Sequence, residues 1–285
     1  MRRIGERVHG DFEMDQAVSG GTVYASGKML AAVSDGVGTI TFNQPEKRNA
    51  MSIEMWDGLT EILSAWEQDD AVRCVVLTGA GDKAFVSGAD ISQFAQNRSN
   101  AEAQQEYDRL TSAGRRKLTD YEKPVIARIQ GFCLGGGLGI AMAADIRIAS
   151  DGAQFGIPAA KLGIAYGWDM VRRLNSLVGH AHARAILFTG ERFGAAEAGR
   201  IGLVNQVVPD SELDETVAKL ARTMAGNAPL SLRGMKFILG QSLRDPAERD
   251  MEAVTRAVAT CFDSADYTEG RTAFMEKRKP RFQGK

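Results

Sequence analysis

Histidine and cysteine are scarce, three of each in 285 residues. Cys74, Cys133 and Cys261 stand far apart, two of them in apolar runs, so neither a disulfide framework nor a thiolate metal cluster is expected. His9, His180 and His182 lack zinc-ligand spacing, and no metal is implied. Net charge is nearly absent, -1 from 35 basic and 36 acidic residues, which leaves no electrostatic case for nucleic acid or an anionic membrane. No window approaches the ~20 apolar residues that cross a bilayer. The opening MRRIGERVHGDFEMDQAVSGG mixes both charges without an apolar stretch, so it is not a secretory signal; a reducing, cytoplasmic setting is expected.

Glycine, by contrast, is plentiful at 31 residues. The chain divides into a mobile extension over 1–27, a core over 28–222 and a helical region over 223–285. MLAAVSDGVGTITFN reads as two strands joined at Ser34-Asp35-Gly36. SIEMWDGLTEILSAWEQDD reads as a helix capped by Ser52, with Trp56, Leu59, Leu63 and Trp66 on one face. RCVVLTG, KPVIARIQG and DIRIAS are short apolar runs of the kind buried strands show, and GGLGIAMAA reads as a helix between the last two. Strand and helix therefore alternate, which predicts an α/β fold built from crossover units. After GLVNQVVP the pattern is wholly helical, ending in a basic tail.

Three stretches can carry chemistry. LGGGLGIAMAADIRIAS, Leu134 to Ser150, places a glycine triplet before an apolar helix. A helix start exposes unpaired N–H groups and the positive end of the dipole, so bare backbone there can hold an anion or a developing oxyanion. The same glycines also suit close helix–strand packing. The spacing matches neither a dinucleotide fingerprint nor a phosphate-binding loop. AFVSGADIS, Ala84 to Ser92, offers further backbone donors after a strand, and FNQPEKRNAMS sets Lys47 and Arg48 after a proline turn.

In this order, and with QFGIPAAKLGI, LVNQVVP and AFMEKRKPRF, these stretches resemble the crotonase superfamily, the enoyl-CoA hydratase/isomerase family, over residues 28 to 285. The resemblance implies a crotonase-like spiral of ββα units followed by a C-terminal helical trimerisation region, in a homotrimer or dimer of trimers. It implies an acyl-CoA thioester as substrate, with coenzyme A entering as part of it and no cofactor tightly bound. The thioester oxygen would meet the backbone N–H groups of Ala89 and Gly136. The nucleotide would lie against Lys47, the segment Ser87, Ala89, Asp90 and Ile91, and Phe274 with Lys277 of a helix often supplied by a neighbouring subunit.

Family hydratases place a glutamate at each of two positions that here hold Gly139 and Ala159. Neither residue carries a proton, so hydration by that route is not expected, and Gly139 in a helix suggests either space for a ligand or close helix packing. Tyr166 and Asp169 are the candidate proton carriers. Tyr166 coincides with a catalytic tyrosine of methylmalonyl-CoA decarboxylase, although that enzyme's histidine is here Ala89. Enolate chemistry on an acyl-CoA is expected. Decarboxylase-like or cyclic β-ketoacyl-CoA hydrolase activity, and a non-catalytic acyl-CoA-binding protein, are the alternatives.

Overall fold

The computed structural model describes residues 21–90 and 101–285. Thr22–Tyr24 (β1), Met29–Ser34 (β2), Val37–Phe42 (β3), Cys74–Gly79 (β4), Val125–Ile129 (β6), Ile146–Ser150 (β8) and Gln206–Val208 (β11) form one sheet, ordered β1-β2-β3-β4-β6-β8-β11. Its first three strands pair antiparallel and the rest parallel. A smaller sheet, β10-β9-β7-β5, contains Ala84–Val86 (β5), Phe132–Leu134 (β7), Gln154–Gly156 (β9) and Phe193–Gly194 (β10).

The chain visits the two sheets alternately, β4 then β5, β6 then β7, β8 then β9. A helix closes each turn: Ala101–Thr119 (α2), Gly136–Ala143 (α3) and Trp168–Thr189 (α4). This is the expected spiral of ββα units.

The local signals explain most elements. Asp35 and Gly36, both with positive φ, turn β2 into β3 with Ser34 opposite Val37, as a two-residue hairpin requires. The Ser52 hydroxyl accepts from the Met55 N–H to start Ile53–Glu67 (α1). In β4, Val75 and Leu77 enter the core between the sheets, whereas Cys74 and Val76 enter a second core beneath Leu213–Ala225 (α6). Burial on both faces is why RCVVLTG is continuously apolar. Burial also pushes the Cys74 thiol up to about 12 and raises Cys133 further, so both behave as inert core residues.

Two expected boundaries move. Thr22–Tyr24 falls within the expected extension, yet it pairs with Met29–Ala31, while residues 1–20 lie outside the described residues. The division at 222/223 cuts α6, whose Leu213, Val217, Ala221 and Ala225 cover the large sheet and so belong to the core. Beyond it stand Pro229–Ser242 (α7), Met251–Phe262 (α8) and Ala265–Met275 (α9). Helix α9, capped by Ser264, occupies part of what composition alone reads as a basic tail. Ala195–Arg200 (α5) is a short connector before β11.

Candidate active site

Strands β5 and β7 run parallel, so the segments leaving their carboxyl ends emerge side by side. From β5 the chain reaches Ala89, which forms a parallel bridge with Met51. Met51 donates its N–H to the Gly88 carbonyl at 2.8 Å, and Asp90 donates to the Met51 carbonyl at 2.9 Å. In that pattern the bridge uses both polar groups of Met51, and the N–H of Ala89 points to the opposite side. It has no hydrogen-bond partner among the described residues.

From β7 the chain reaches Gly135, whose φ of 53° and ψ of -118° suit glycine alone. Gly135 donates to the Gly156 carbonyl at 2.9 Å and hands the chain into α3. Gly136 is the first residue of that helix, where an N–H has no intrahelical acceptor. A Cβ built on Gly136 would lie 3.8 Å from the Ala89 nitrogen. Two unpaired backbone donors thus meet at a helix start, both half-buried.

The triplet does two jobs. At Gly137 a Cβ would stand 2.0 Å from the Val86 carbonyl oxygen, so this glycine lets α3 pack directly on β5. At Gly135 a Cβ would meet the Tyr166 hydroxyl at 3.1 Å. Close packing and bare backbone, alternatives in the sequence, belong to different glycines. At Gly139 a Cβ would lie 3.4 Å from Met170 Cε and 3.5 Å from its Sδ. The space is occupied by a side chain from α4, which favours helix packing over open room at this glycine. Ala159 is buried after Pro158 in the 3-10 turn Pro158–Leu162.

Of the proposed proton carriers, the structure brings Tyr166 to the glycine backbone and leaves Asp169 exposed in the first turn of α4. Asp169 acts there through the helix dipole and on Arg173, one turn along, whose guanidinium donates to the Met142 carbonyl at 3.1 Å. Burial lowers the pKa of Arg173, and Asp145, Asp120 and Asp169 oppose that shift.

The Lys47 loop is tied to the donor strand. Lys47 Nζ reaches Asp90 Oδ2 at 2.7 Å, Ser87 donates its N–H to the Arg48 carbonyl at 3.1 Å, and its hydroxyl approaches the Lys47 carbonyl at 3.4 Å. Lys47, Ser87, Ala89 and Asp90 therefore lie together, and Ile91 lies outside the described residues. Arg48 instead turns over the Phe132 ring, 5.1 Å from its centroid, where Arg192 also sits at 5.4 Å.

Phe274 and Lys277 do not join this group within one chain. Phe274 is 81% exposed on α9, and among the described residues no hydrogen bond or ion pair joins it or Lys277 to the Lys47 loop. The tail after α9 docks at the opposite end of β4, where Arg73 donates to the Phe282 carbonyl at 2.7 Å.

Asn49 is a residue that motif reasoning missed. It is fully buried in a left-handed conformation, donates to the carbonyls of Ala80 and Ala84 at 3.0 and 2.7 Å, and accepts from the Gln44 N–H at 3.0 Å. It fixes the Lys47 loop against β5. An asparagine after a proline turn, at the foot of a helix, was the available signal.

The chain matches the family model described as enoyl-CoA hydratase/isomerase over residues 32–285. It is 39% identical to the short-chain-enoyl-CoA hydratase of Clostridium acetobutylicum over 243 residues, 85% of this chain and 92% of that protein. The chain belongs to the enoyl-CoA hydratase/isomerase family. Other relatives of this crotonase-family enzyme include the peroxisomal Delta(3,5)-Delta(2,4)-dienoyl-CoA isomerase of Arabidopsis thaliana, 34% identical with 85% of this chain and 91% of that protein covered. In fold, the enzyme superposes on the crystal structure of an enoyl-CoA hydratase/carnithine racemase from Magnetospirillum magneticum with a TM-score of 0.87. That match has 36% identity and covers 90% of this chain and 96% of the other. Among its described residues no group of histidine, cysteine or acidic side chains could hold a metal, and no helix is long and apolar enough to cross a membrane.

Proposed function

We propose that this enzyme binds an acyl-CoA thioester with the carbonyl oxygen between the N–H groups of Ala89 and Gly136, and stabilises the enolate formed at the α-carbon. The observation that carries this reading is the meeting of two unpaired backbone donors at a helix N-terminus. Charge that develops on the thioester oxygen is favoured there because the donors are already aimed and need not reorganise. The nucleotide of coenzyme A would pass along Lys47 and the Ser87–Asp90 segment, which the Lys47–Asp90 ion pair ties together. Phe274 and Lys277 would complete that nucleotide site from a second subunit of a trimer or dimer of trimers.

Relatives named as hydratases give no support to excluding hydration. Gly139 and Ala159 bear instead on how protons move, since neither residue can carry one. The Tyr166 hydroxyl, against Gly135 beside the donors, is the assigned proton carrier. One such group suffices where the enolate needs a single proton, as after loss of carbon dioxide from a malonyl-type thioester, and this favours decarboxylation as the second reading. There the bond from the α-carbon to the carboxylate breaks, its electron pair forms the enolate, and Tyr166 delivers a proton to the same carbon.

The test is turnover of crotonyl-CoA and methylmalonyl-CoA by the wild-type enzyme and by Ala89→Pro. Proline removes the amide donor, and losing one oxyanion donor should lower kcat by about a hundredfold or more. An Ala89→Pro protein with a wild-type circular dichroism spectrum and normal turnover would overturn the assignment.

A further inference from the structure

Gly135 and Gly139 are four residues apart, on the same side of the start of α3. Tyr166 and Met170 are also four apart, and each meets one of these glycines. The hydroxyl of Tyr166 closes on Gly135, next to the paired donors. One turn deeper, the thioether of Met170 closes on Gly139, with Cε and Sδ at 3.4 and 3.5 Å from the position a Cβ would take. Met170 is partly buried and packs against the main core, so it is held there from behind.

We propose that Met170 is a specificity-determining residue whose thioether forms the floor of the acyl chamber and restricts this enzyme to short acyl groups. The inference rests on the acyl-CoA reading above, which fixes one end of the ligand. With the carbonyl oxygen between Ala89 and Gly136, the acyl chain would run along α3 from the level of Gly136, beside Gly88 and Ala89, to that of Gly139, where Met170 stands. The Gly135 and Gly139 levels that Tyr166 and Met170 meet are separated by one turn of α3, closed by the hydrogen bond from the Gly139 N–H to the Gly135 carbonyl, roughly 5–6 Å, which is room for an acyl group of about four carbons.

The bare Gly139 is what admits the thioether so far. A side chain larger than alanine at that position would displace Met170, since even a Cβ comes into contact with it. Methionine is unbranched and deformable, so the floor yields gradually and discrimination should rise with each added carbon.

The full-length protein and three probes, butyryl-CoA, hexanoyl-CoA and octanoyl-CoA, test this. Dissociation constants come from calorimetry and α-hydrogen exchange with D2O from NMR. Wild-type protein should bind butyryl-CoA about tenfold or more tighter than octanoyl-CoA, the scale on which buried methylenes are discriminated. Met170→Ala should bring octanoyl-CoA to within about threefold of butyryl-CoA, and Met170→Leu, similar in volume, should restore the discrimination. The exchange rates should follow the same order.

An unchanged chain-length ratio in a folded Met170→Ala protein would overturn the proposal, as would wild-type preference for octanoyl-CoA. Wild-type protein that binds all three probes equally removes the floor and leaves the acyl-CoA reading standing. Protein that binds none of them removes both.

Discussion

Tyr166 and Asp169 lie three residues apart, and only their surroundings separate their roles. The Tyr166 hydroxyl stands over Gly135, next to the paired donors, whereas Asp169 stands in solvent at the head of α4. Tyr166→Phe keeps the ring and its packing, so it should lower kcat about a hundredfold if the hydroxyl transfers the proton. Asp169→Asn should change kcat by less than about threefold, as exposed substitutions do. Steady-state kinetics on whichever thioester is turned over measures both, and the reverse ranking would make Asp169 the proton carrier. The residue scale is also where sequence reading was most selective. Ala89 and Gly136 were legible because backbone donors need only a position in the chain. Met170 was not, because nothing in a sequence says which side chain fills the space before a glycine.

Among elements, α3 is the decisive one, and its glycines have opposite sensitivities. Gly137→Ala would drive a methyl into the Val86 carbonyl and should destabilise the protein by about 3 kcal/mol or more, at the upper end of overpacking costs. Gly139→Ala meets only the flexible end of Met170 and should stabilise by up to about 1 kcal/mol, the helix-propensity difference. Urea denaturation of the two variants gives both signs. Helix α2 shows why some elements escape sequence reading: its buried face is Tyr107, Thr111, Gly114 and Leu118, half of it not apolar. Gly114 allows the approach, since a Cβ there would stand 2.7 Å from the Trp56 carbonyl of α1. The α9 segment adds a pH prediction. Glu269 accepts from the Arg278 guanidinium at 2.6 and 2.8 Å and from the Arg281 N–H at 2.7 Å, which together hold its pKa at about 2. A carboxyl depressed in the folded state stabilises that state above its unfolded value near 4.5 and loses the contribution as pH falls toward 2. Hydrogen exchange of residues 278–285 should therefore accelerate between about pH 4.5 and pH 2 relative to the core. Unchanged protection across that window would count against this latch.

At the scale of the molecule, the C-terminal helices present apolar side chains that one chain leaves uncovered. Leu239 is 67% exposed, Phe262 59%, Phe274 81% and Met275 79%. Exposure on this scale along successive helices is a mark of an interaction surface, and it fits the proposed trimer, in which Phe274 and Lys277 would reach a neighbouring site. Light scattering after size exclusion should return a mass of three or six chains. Phe274→Ala should then raise KM for a CoA thioester more than it lowers kcat, because the helix would touch the nucleotide and not the reacting carbon. A monomer with full activity would detach α9 from the site altogether.

The sequence by itself determined the alternation of strand and helix, the hairpin at Ser34–Gly36, the Ser52 cap and the family, because periodicity, turn chemistry and short motifs are local. It also located the two donors and the unusual residues at Gly139 and Ala159. Only the tertiary structure decided that Gly137 serves packing while Gly136 faces Ala89, that Tyr166 stands beside Gly135 while Asp169 is exposed, and that Met170 occupies the space at Gly139. These depend on how three segments far apart in the chain converge at the ends of parallel strands, and that convergence is set by the packing of the whole spiral.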